Sequence, residues 1–110
     1  MSKSKFSIDW SETAEKDLET IVEHIFLDNE DIAHDIFSLI KNSILGLKNF
    51  PAHGQVVPEL EYYFINTYRE IIVKVWRVIY RIEGSNVYIL AVMDSRRNIE
   101  DILLNRFLKS

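Results

Sequence analysis

The stretch from Tyr68 to Arg97 constrains the fold more than any other part of the chain. It is dense in β-branched and aromatic residues, which favour strands, and Glu83-Gly84-Ser85-Asn86 interrupts it with a turn signal. Val87 to Met93 is apolar on both faces, as is expected of a central strand. The stretch therefore predicts successive antiparallel strands in a three-stranded meander.

One of these strands has a pattern that orients the sheet. Its residues alternate between a wholly apolar row and an apolar row with two arginines, and the rows are Trp76, Val78, Tyr80 and Ile82, and Arg77, Ile79 and Arg81. We expect the row without arginines to lie under helices. Just upstream, Lys74-Val75 lacks the Gly or Asn of a tight hairpin, so the sequence is compatible with a bulged turn or with one long bent strand.

Two helices are predicted before the sheet. Ser11 suits a helix N-cap, and acidic residues follow it where the helix dipole favours them. Apolar residues then recur at helical spacing on both sides of a break at Asp28-Asn29-Glu30, and the second helix must end before Pro51. The two stripes are Ala14, Leu18, Ile21, Val22 and Ile25, and Ala33, Ile36, Phe37, Ile40, Ile44 and Leu47. The short break predicts an antiparallel helical hairpin.

A short strand is predicted ahead of the helices, and a loop after them. Phe6, Ile8 and Trp10 alternate with polar residues, so they form one face of an N-terminal strand. The segment from Pro51 to Pro58 contains both prolines of the chain and Gly54, which is typical of a loop.

A short C-terminal helix is predicted beyond Arg97. Asn98 can cap it, and its apolar residues are Ile99, Ile102, Leu103, Leu104, Phe107 and Leu108. Such a hydrophobic tail either closes over the sheet or awaits a partner.

Together these elements predict an α+β fold. It has an antiparallel β-sheet, made of the N-terminal strand and the three-stranded meander, with a two-helix hairpin on one face and a short C-terminal helix. A chain of 110 residues with 47% hydrophobic content fits one domain over residues 1–110 with one core.

Composition excludes several classes of function. There is no cysteine, no apolar run of about 20 residues and no signal-peptide core, so we expect a cytoplasmic protein without disulfides or membrane contact. His24, His34 and His53 are too dispersed to form a metal site, and we expect no metal and no cofactor.

The charges are unevenly distributed along the chain. Residues 1–61 carry five lysines against twelve acids, whereas residues 62–110 carry eight basic residues against five acids. The net charge of −4 disfavours broad attraction to nucleic acid, but a local basic surface in the sheet half could face an anion or a protein partner.

The order of these elements resembles the RelE/ParE family of bacterial type II toxins. The resemblance covers roughly residues 8–104 and is carried by the motifs Ser11-x-x-Ala14-x-x-Asp17-Leu18, Phe50-Pro51-x-x-Gly54, Tyr68-Arg69-Glu70, Trp76-Arg77-Val78-Ile79-Tyr80-Arg81, Val87-x-Ile89-Leu90-x-Val92 and Arg96-Arg97. It implies a RelE/ParE-like fold and a toxin that is neutralised by a cognate antitoxin. RelE-like members cut mRNA on the ribosome, and ParE-like members poison DNA gyrase.

The resemblance favours the ParE branch over a ribonuclease. RNA cleavage by the 2′-OH needs cations at the phosphate and groups that transfer protons. Arg69, Arg77 and Arg97 match basic positions of RelE-like members, but the position of the C-terminal Tyr or His falls at Ile102 or Leu103, which cannot transfer a proton. We therefore assign no catalytic residue. A RelE-like endoribonuclease acting on ribosome-bound mRNA is the alternative.

Five arginines are candidates for contact with the target or the antitoxin. They are Arg69, Arg77, Arg81, Arg96 and Arg97. Arg77 and Arg81 could equally form ion pairs with Glu70 or Glu83, and Arg69 could pair with an acid on the loop. For the aromatic residues, core packing is favoured over base stacking; these residues are Tyr62, Tyr63, Phe64, Tyr68, Trp76 and Tyr80.

The sheet also predicts a protein partner. We expect the face opposite the helices to carry Ile71, Val73 and Ile79 beside the arginines, and an apolar face of this size needs a cover. An antitoxin segment with apolar anchors and acidic residues would provide it. A member that has lost toxicity and only binds antitoxin is a further alternative.

Overall fold

Two helices form an antiparallel hairpin on one face of a sheet. The computed structural model describes residues 6–108, apart from the side chains of Ile99, Phe107 and Leu108. Helix α1 is Glu12–Asp28 and α2 is Glu30–Leu45, so Asn29 alone joins them. The Ser11 hydroxyl accepts the Ala14 N–H at 3.0 Å, which confirms the predicted N-cap. No helix among the described residues combines the length and apolarity needed to cross a membrane.

The strands form a mixed sheet. They are β1 (Ser7–Trp10), β2 (Gln55–Val56), β3 (Tyr68–Val73), β4 (Trp76–Glu83) and β5 (Asn86–Asp94), and within residues 6–108 their order is β1-β5-β4-β3-β2. The antiparallel meander is confirmed, whereas β1 joins β5 in parallel. The expected wholly antiparallel sheet was wrong in this detail, because a short strand's alternation carries no information on the direction of its neighbour.

The β3–β4 connection is a tight turn. Lys74 adopts a φ of 58° between the paired residues Val73 and Trp76. A Lys residue thus takes the left-handed conformation that Gly or Asn would adopt more readily, which is why the sequence did not reveal the turn.

The face of the sheet under the hairpin holds the larger core. Phe6, Ile8 and Trp10 pack against it, as expected. Its buried residues are Ala14, Leu18, Ile40, Ile44, Leu47, Ile71, Val73, Val78, Tyr80, Val87, Ile89 and Val92. The row of Trp76 and Tyr80 therefore lies under the helices, which confirms that prediction.

The opposite face of the sheet is covered by the chain itself. Helix α3 (Pro58–Glu61) and helix α4 (Ile99–Leu103), which continues as a wider turn over Leu104–Leu108, lie over it. The buried residues there are Val57, Leu60, Ile79, Ala91, Met93 and Leu103. The expectation that this face needs an antitoxin cover was wrong. Ile71 and Val73 were also assigned to the wrong face, since both pack under the hairpin.

The Arg77 guanidinium fastens α3 to the sheet. Its Nη1 and Nη2 donate to the two carboxylate oxygens of Glu59 at 2.7 and 2.6 Å, and its Nε donates to Glu70 Oε1 at 2.7 Å. The second Glu70 oxygen accepts from Gln55 Nε2 at 2.8 Å. The hydrogen bonds from Arg77 lower the pKa of Glu59 below its ordinary value.

The loop before β2 is held by close contact with the Tyr80 side chain. The Tyr80 hydroxyl donates to the Pro51 carbonyl at 2.7 Å and accepts the Gly54 N–H at 3.0 Å. A methyl group on Gly54 would overlap the Glu70 carbonyl oxygen and lie 2.6 Å from the Tyr80 hydroxyl. Only Gly fits this position without a shift of the β3 backbone.

A single carboxylate ties the C-terminal segment to α1 and β5. Asp17 Oδ2 accepts the Val92 N–H at 3.0 Å, beside a bulge at which Leu90 has no partner on β4. Both Asp17 oxygens also accept from the Arg106 guanidinium, at 2.9 and 3.1 Å. The C-terminal segment therefore closes over its own sheet.

We expect Gly54→Ala to lower the free energy of unfolding by about 1–3 kcal/mol, because the added methyl overpacks a backbone contact. Gly46→Ala is the matched control. Gly46 has a φ of −60° and open space around it, so Ala there should stabilise by about 0.4–1 kcal/mol. Urea unfolding of both variants measures this, and equal effects would contradict the assigned contact.

We expect the Glu59–Arg77 pair to make stability depend on pH. Since the pKa of Glu59 in the folded state lies below its ordinary value of 4.5, its contribution is fully present above that pH and is lost as the pH falls through the folded-state pKa. Glu59→Gln should therefore lower the melting temperature at neutral pH, and the difference from wild type should shrink as the pH falls below 4.5. Circular dichroism melts across this range check it.

Glu61→Gln, on the same helix, is the control for that experiment, since the Glu61 side chain is exposed. A difference between Glu59→Gln and wild type that stays constant with pH would show that the charge of Glu59 does not matter.

Candidate target-contact surface

Arg77 lies inside the fold rather than on its exposed surface. Its guanidinium is buried and is shared between Glu59 and Glu70. Both carboxylates raise the pKa of Arg77, so it remains a cation held inside an ion-pair network. Of the two roles expected for Arg77, the structure places it in the structural ion pair with Glu70.

Arg69 and Arg81 also have partners within the fold, and they lie on opposite faces of the sheet. Arg69 is paired in register with Tyr80 on the hairpin side, and its Nη1 donates to the Gly54 carbonyl at 2.6 Å. Arg81 stacks over the Tyr88 ring at 5.1 Å and lies 3.3 Å from Glu83. The loop contact of Arg69 is thus with a backbone carbonyl rather than an acid.

Arg96 and Arg97 lie in the turn between β5 and α4. The Arg96 guanidinium donates to both carboxylate oxygens of Asp94, at 2.9 and 2.5 Å, and these bonds lower the pKa of Asp94 to about 2. The Arg97 N–H donates to the Asp94 carbonyl at 3.1 Å, which fixes the turn. Within residues 6–108, the exposed Arg97 guanidinium makes no hydrogen bond or ion pair.

Helix α4 brings no Tyr or His to these arginines. Leu103 is fully buried in the core of the second face, and Ile102 packs beside it. The Tyr63 hydroxyl does reach α4, where it donates to Glu100 Oε2 at 2.5 Å. That hydrogen bond raises the pKa of Tyr63, so the phenol keeps its proton and makes a poor general base.

Three consecutive aromatic residues form an exposed loop that the sequence analysis missed. Tyr62, Tyr63 and Phe64 are 78%, 43% and 93% exposed. Core packing was the right prediction for Trp76 and Tyr80 but the wrong one for these three. The available signal was their adjacency, because three successive side chains cannot all point into one core.

No group of three or more potential metal ligands comes together within the part of the chain that the structure describes. Of the three histidines, His34 contacts an acid, Glu30, at 3.9 Å on the surface of α2.

Comparison with known proteins identifies the fold and the family. The chromosomal ParDE system from P. aeruginosa aligns with a TM-score of 0.70 and 16% identity, over 84% of this chain and 98% of that chain. A YoeB/ParE toxin from Agrobacterium tumefaciens aligns with a TM-score of 0.56 and 14% identity, over 81% and 98% of the two chains. No curated protein sequence matches significantly.

A family model described as ParE toxin of type II toxin-antitoxin system, parDE, matches residues 8–99. This match covers most of the chain and agrees with the resemblance found in its motifs. The protein therefore belongs to the ParE toxin family, within the wider RelE/ParE group of type II toxins.

Proposed function

We propose that this chain is a single-domain cytoplasmic toxin that inhibits DNA gyrase by binding and is neutralised by a cognate antitoxin. It would hold gyrase in a state with cleaved DNA, and the chain itself would make and break no bond. Family membership supports the toxin role. The observation that favours binding over RNA cleavage is the engagement of Arg77 with two carboxylates.

Arg77 matches a basic position of the ribonuclease members, so its partners bear on whether it could contact a phosphate. Freeing it to meet a phosphate would leave Glu59 and Glu70 without their cation, and breaking a buried pair costs about 3–5 kcal/mol. Leu103, at the position of the proton-transfer residue, is buried and apolar. Both features support a toxin that works without catalysis.

Of the five candidate arginines, we place the target contact on Arg96 and Arg97. These two are exposed at one turn, and the Arg97 guanidinium makes no hydrogen bond or ion pair within residues 6–108. We assign Arg69, Arg77 and Arg81 to the stability of the sheet and its loop, since each has a partner there. Each is also less exposed than Arg96, whose pair with Asp94 lies at the surface.

We place the antitoxin on the helical hairpin, where apolar surface remains open. A groove of about 400 Å³ is lined by apolar side chains and by acids of α1, and Lys41 stacks on Trp10 at 5.0 Å within it. The lining residues are Trp10, Glu15, Leu18, Glu19, Val22, Glu23, Phe37 and Lys41. Leu27, 84% exposed, extends the apolar surface toward the end of α1.

The acids of this groove specify the charge of its occupant. Glu15, Glu19 and Glu23 follow one another at helical spacing along its rim. An antitoxin segment that fits here therefore has apolar anchors and basic residues. This replaces the acidic segment that was expected on the opposite face of the sheet.

The gyrase proposal is tested with purified chain, DNA gyrase, supercoiled plasmid and ATP. We expect linear DNA to accumulate with the wild type, and the double variant Arg96→Ala/Arg97→Ala to need at least about tenfold more protein, because it loses two contact cations. Lys16→Ala/Lys48→Ala removes two exposed cations elsewhere and should behave like the wild type.

A wild type that produces no linear DNA would overturn the gyrase proposal. A cleavage assay with ribosomes and mRNA then separates the ribonuclease alternative from a chain that only binds antitoxin.

The antitoxin groove is tested by reversing one charge. We expect Glu23→Lys to weaken antitoxin binding about tenfold or more, and increasingly so at low salt, because a like charge then faces the basic segment. Asp35→Lys is the matched control on α2, where the side chain is exposed. Titration calorimetry of both complexes at two salt concentrations checks this, and equal affinities would exclude the groove.

A further inference from the structure

The exposed aromatic loop, residues Tyr62 to Phe64, has no role in the core. The Tyr62 and Tyr63 rings pack edge to face, with centroids 5.1 Å apart and planes at 88°, so they stiffen each other on the surface. Phe64 beside them is 93% exposed to solvent. Aromatic surface of this kind is unusual at a site without a partner.

The backbone at Phe64 is unfavourable for a Phe residue. The Phe64 N–H donates to the Glu61 carbonyl at 2.8 Å, and the Ile65 N–H donates to the Leu60 carbonyl at 3.0 Å, which is the pattern that ends a helix with a left-handed residue. Phe64 has a φ of 65°, where Gly or Asn is preferred. Gly or Asn at this position would thus favour the fold more than Phe does. This indicates that the Phe64 ring serves a contact outside the fold.

The loop adjoins the proposed target contact. The hydrogen bond from the Tyr63 hydroxyl to Glu100 holds the loop against the first turn of α4. Glu100 lies three residues after Arg97 in the chain. Arginine and tyrosine are the residue types that carry most binding energy at the centres of protein interfaces. The aromatic loop therefore contacts the helix that follows the Arg96-Arg97 turn in the chain.

The charges around the loop select the class of partner. Glu61 and Asp101 are exposed, and Glu100 is half-buried. Against these acids, the adjoining turn adds one cation that is unpaired within residues 6–108, Arg97, since the charge of Arg96 is already balanced by Asp94. Acids surrounding the rings repel phosphates, so DNA is a poor occupant. A protein surface with cationic side chains is complementary to them.

We propose that the aromatic loop anchors this toxin on the protein part of its target. The occupant is a protein surface with an apolar pocket that receives the Phe64 ring, flanked by Lys or Arg side chains that meet Glu61 and Glu100. This inference rests on the proposed function and deepens it, because it assigns the contact to a gyrase subunit rather than to the bound DNA.

The test measures binding to each purified gyrase subunit without DNA, and to the antitoxin in parallel. Phe64→Asn removes the ring but keeps a residue that tolerates the left-handed backbone, so stability should be unchanged or higher. We expect at least tenfold weaker binding to one subunit with unchanged antitoxin affinity. Phe50→Asn, at another exposed Phe (71%), should leave both affinities unchanged.

Three outcomes would overturn the inference. They are equal subunit affinity of wild type and Phe64→Asn, wild-type binding to gyrase only when DNA is present, and a loss confined to the antitoxin, which would make the antitoxin the occupant. The plasmid cleavage assay on the wild type tests the proposed function, inhibition of gyrase, independently of the aromatic loop. Cleavage by both wild type and Phe64→Asn keeps the gyrase proposal and rejects the loop, whereas a wild type without cleavage or subunit binding rejects both.

Discussion

The fold depends on a central strand, β4, that is buried on both faces along Arg77 to Tyr80. Tyr80 on one face and Ile79 on the other are both completely buried, so each face of the sheet must be covered. The helical hairpin covers one face with a long amphipathic surface. The other face is covered by two helices of four and five residues, α3 and α4, which cannot be stable alone.

This constraint explains why a buried arginine lies at the edge of the second core. Helix α3 is too short to be held by Val57 and Leu60 alone, and the Glu59–Arg77–Glu70 network fixes it to β3 and β4. A guanidinium suits this position because its planar donors can meet two carboxylates at once. The same arrangement keeps Arg77 from the phosphate contact that RNA cleavage would require.

Much of the fold could be predicted from the sequence because its signals are local. The Ser11 cap, the helical stripes and the alternation from Trp76 to Ile82 each depend on neighbours in the chain. Helix α3 and strand β2 could not be predicted, since elements of four and two residues show no period and exist only through tertiary contacts. For the same reason, the sequence did not reveal which segments cover the second face of the sheet or that β1 runs parallel to β5.

For the candidate site, the sequence located the arginines but not their partners. Glu59 lies 18 residues from Arg77, and Gly54 lies 15 from Arg69, so only the folded chain shows which cations are engaged. The role of Tyr62 to Phe64 was missed because aromatic content was interpreted as core, whereas the backbone of Phe64 turns its ring outward. Selecting Arg97 over the other arginines as a candidate contact residue thus required the three-dimensional contacts of each guanidinium.

The Asp17 carboxylate also protects the sheet against association with other chains. Strand β5 extends beyond the residues that pair with β1, so the Val92 N–H lies at an edge. The Asp17 carboxylate accepts a hydrogen bond from this N–H, where a further strand could otherwise pair. At the other side of the sheet, β2 pairs only with Arg69 and Glu70, and Ile72 on β3 is 55% exposed beyond it. Within the described sheet, the part of β3 beyond β2 is therefore an edge that could pair with another strand.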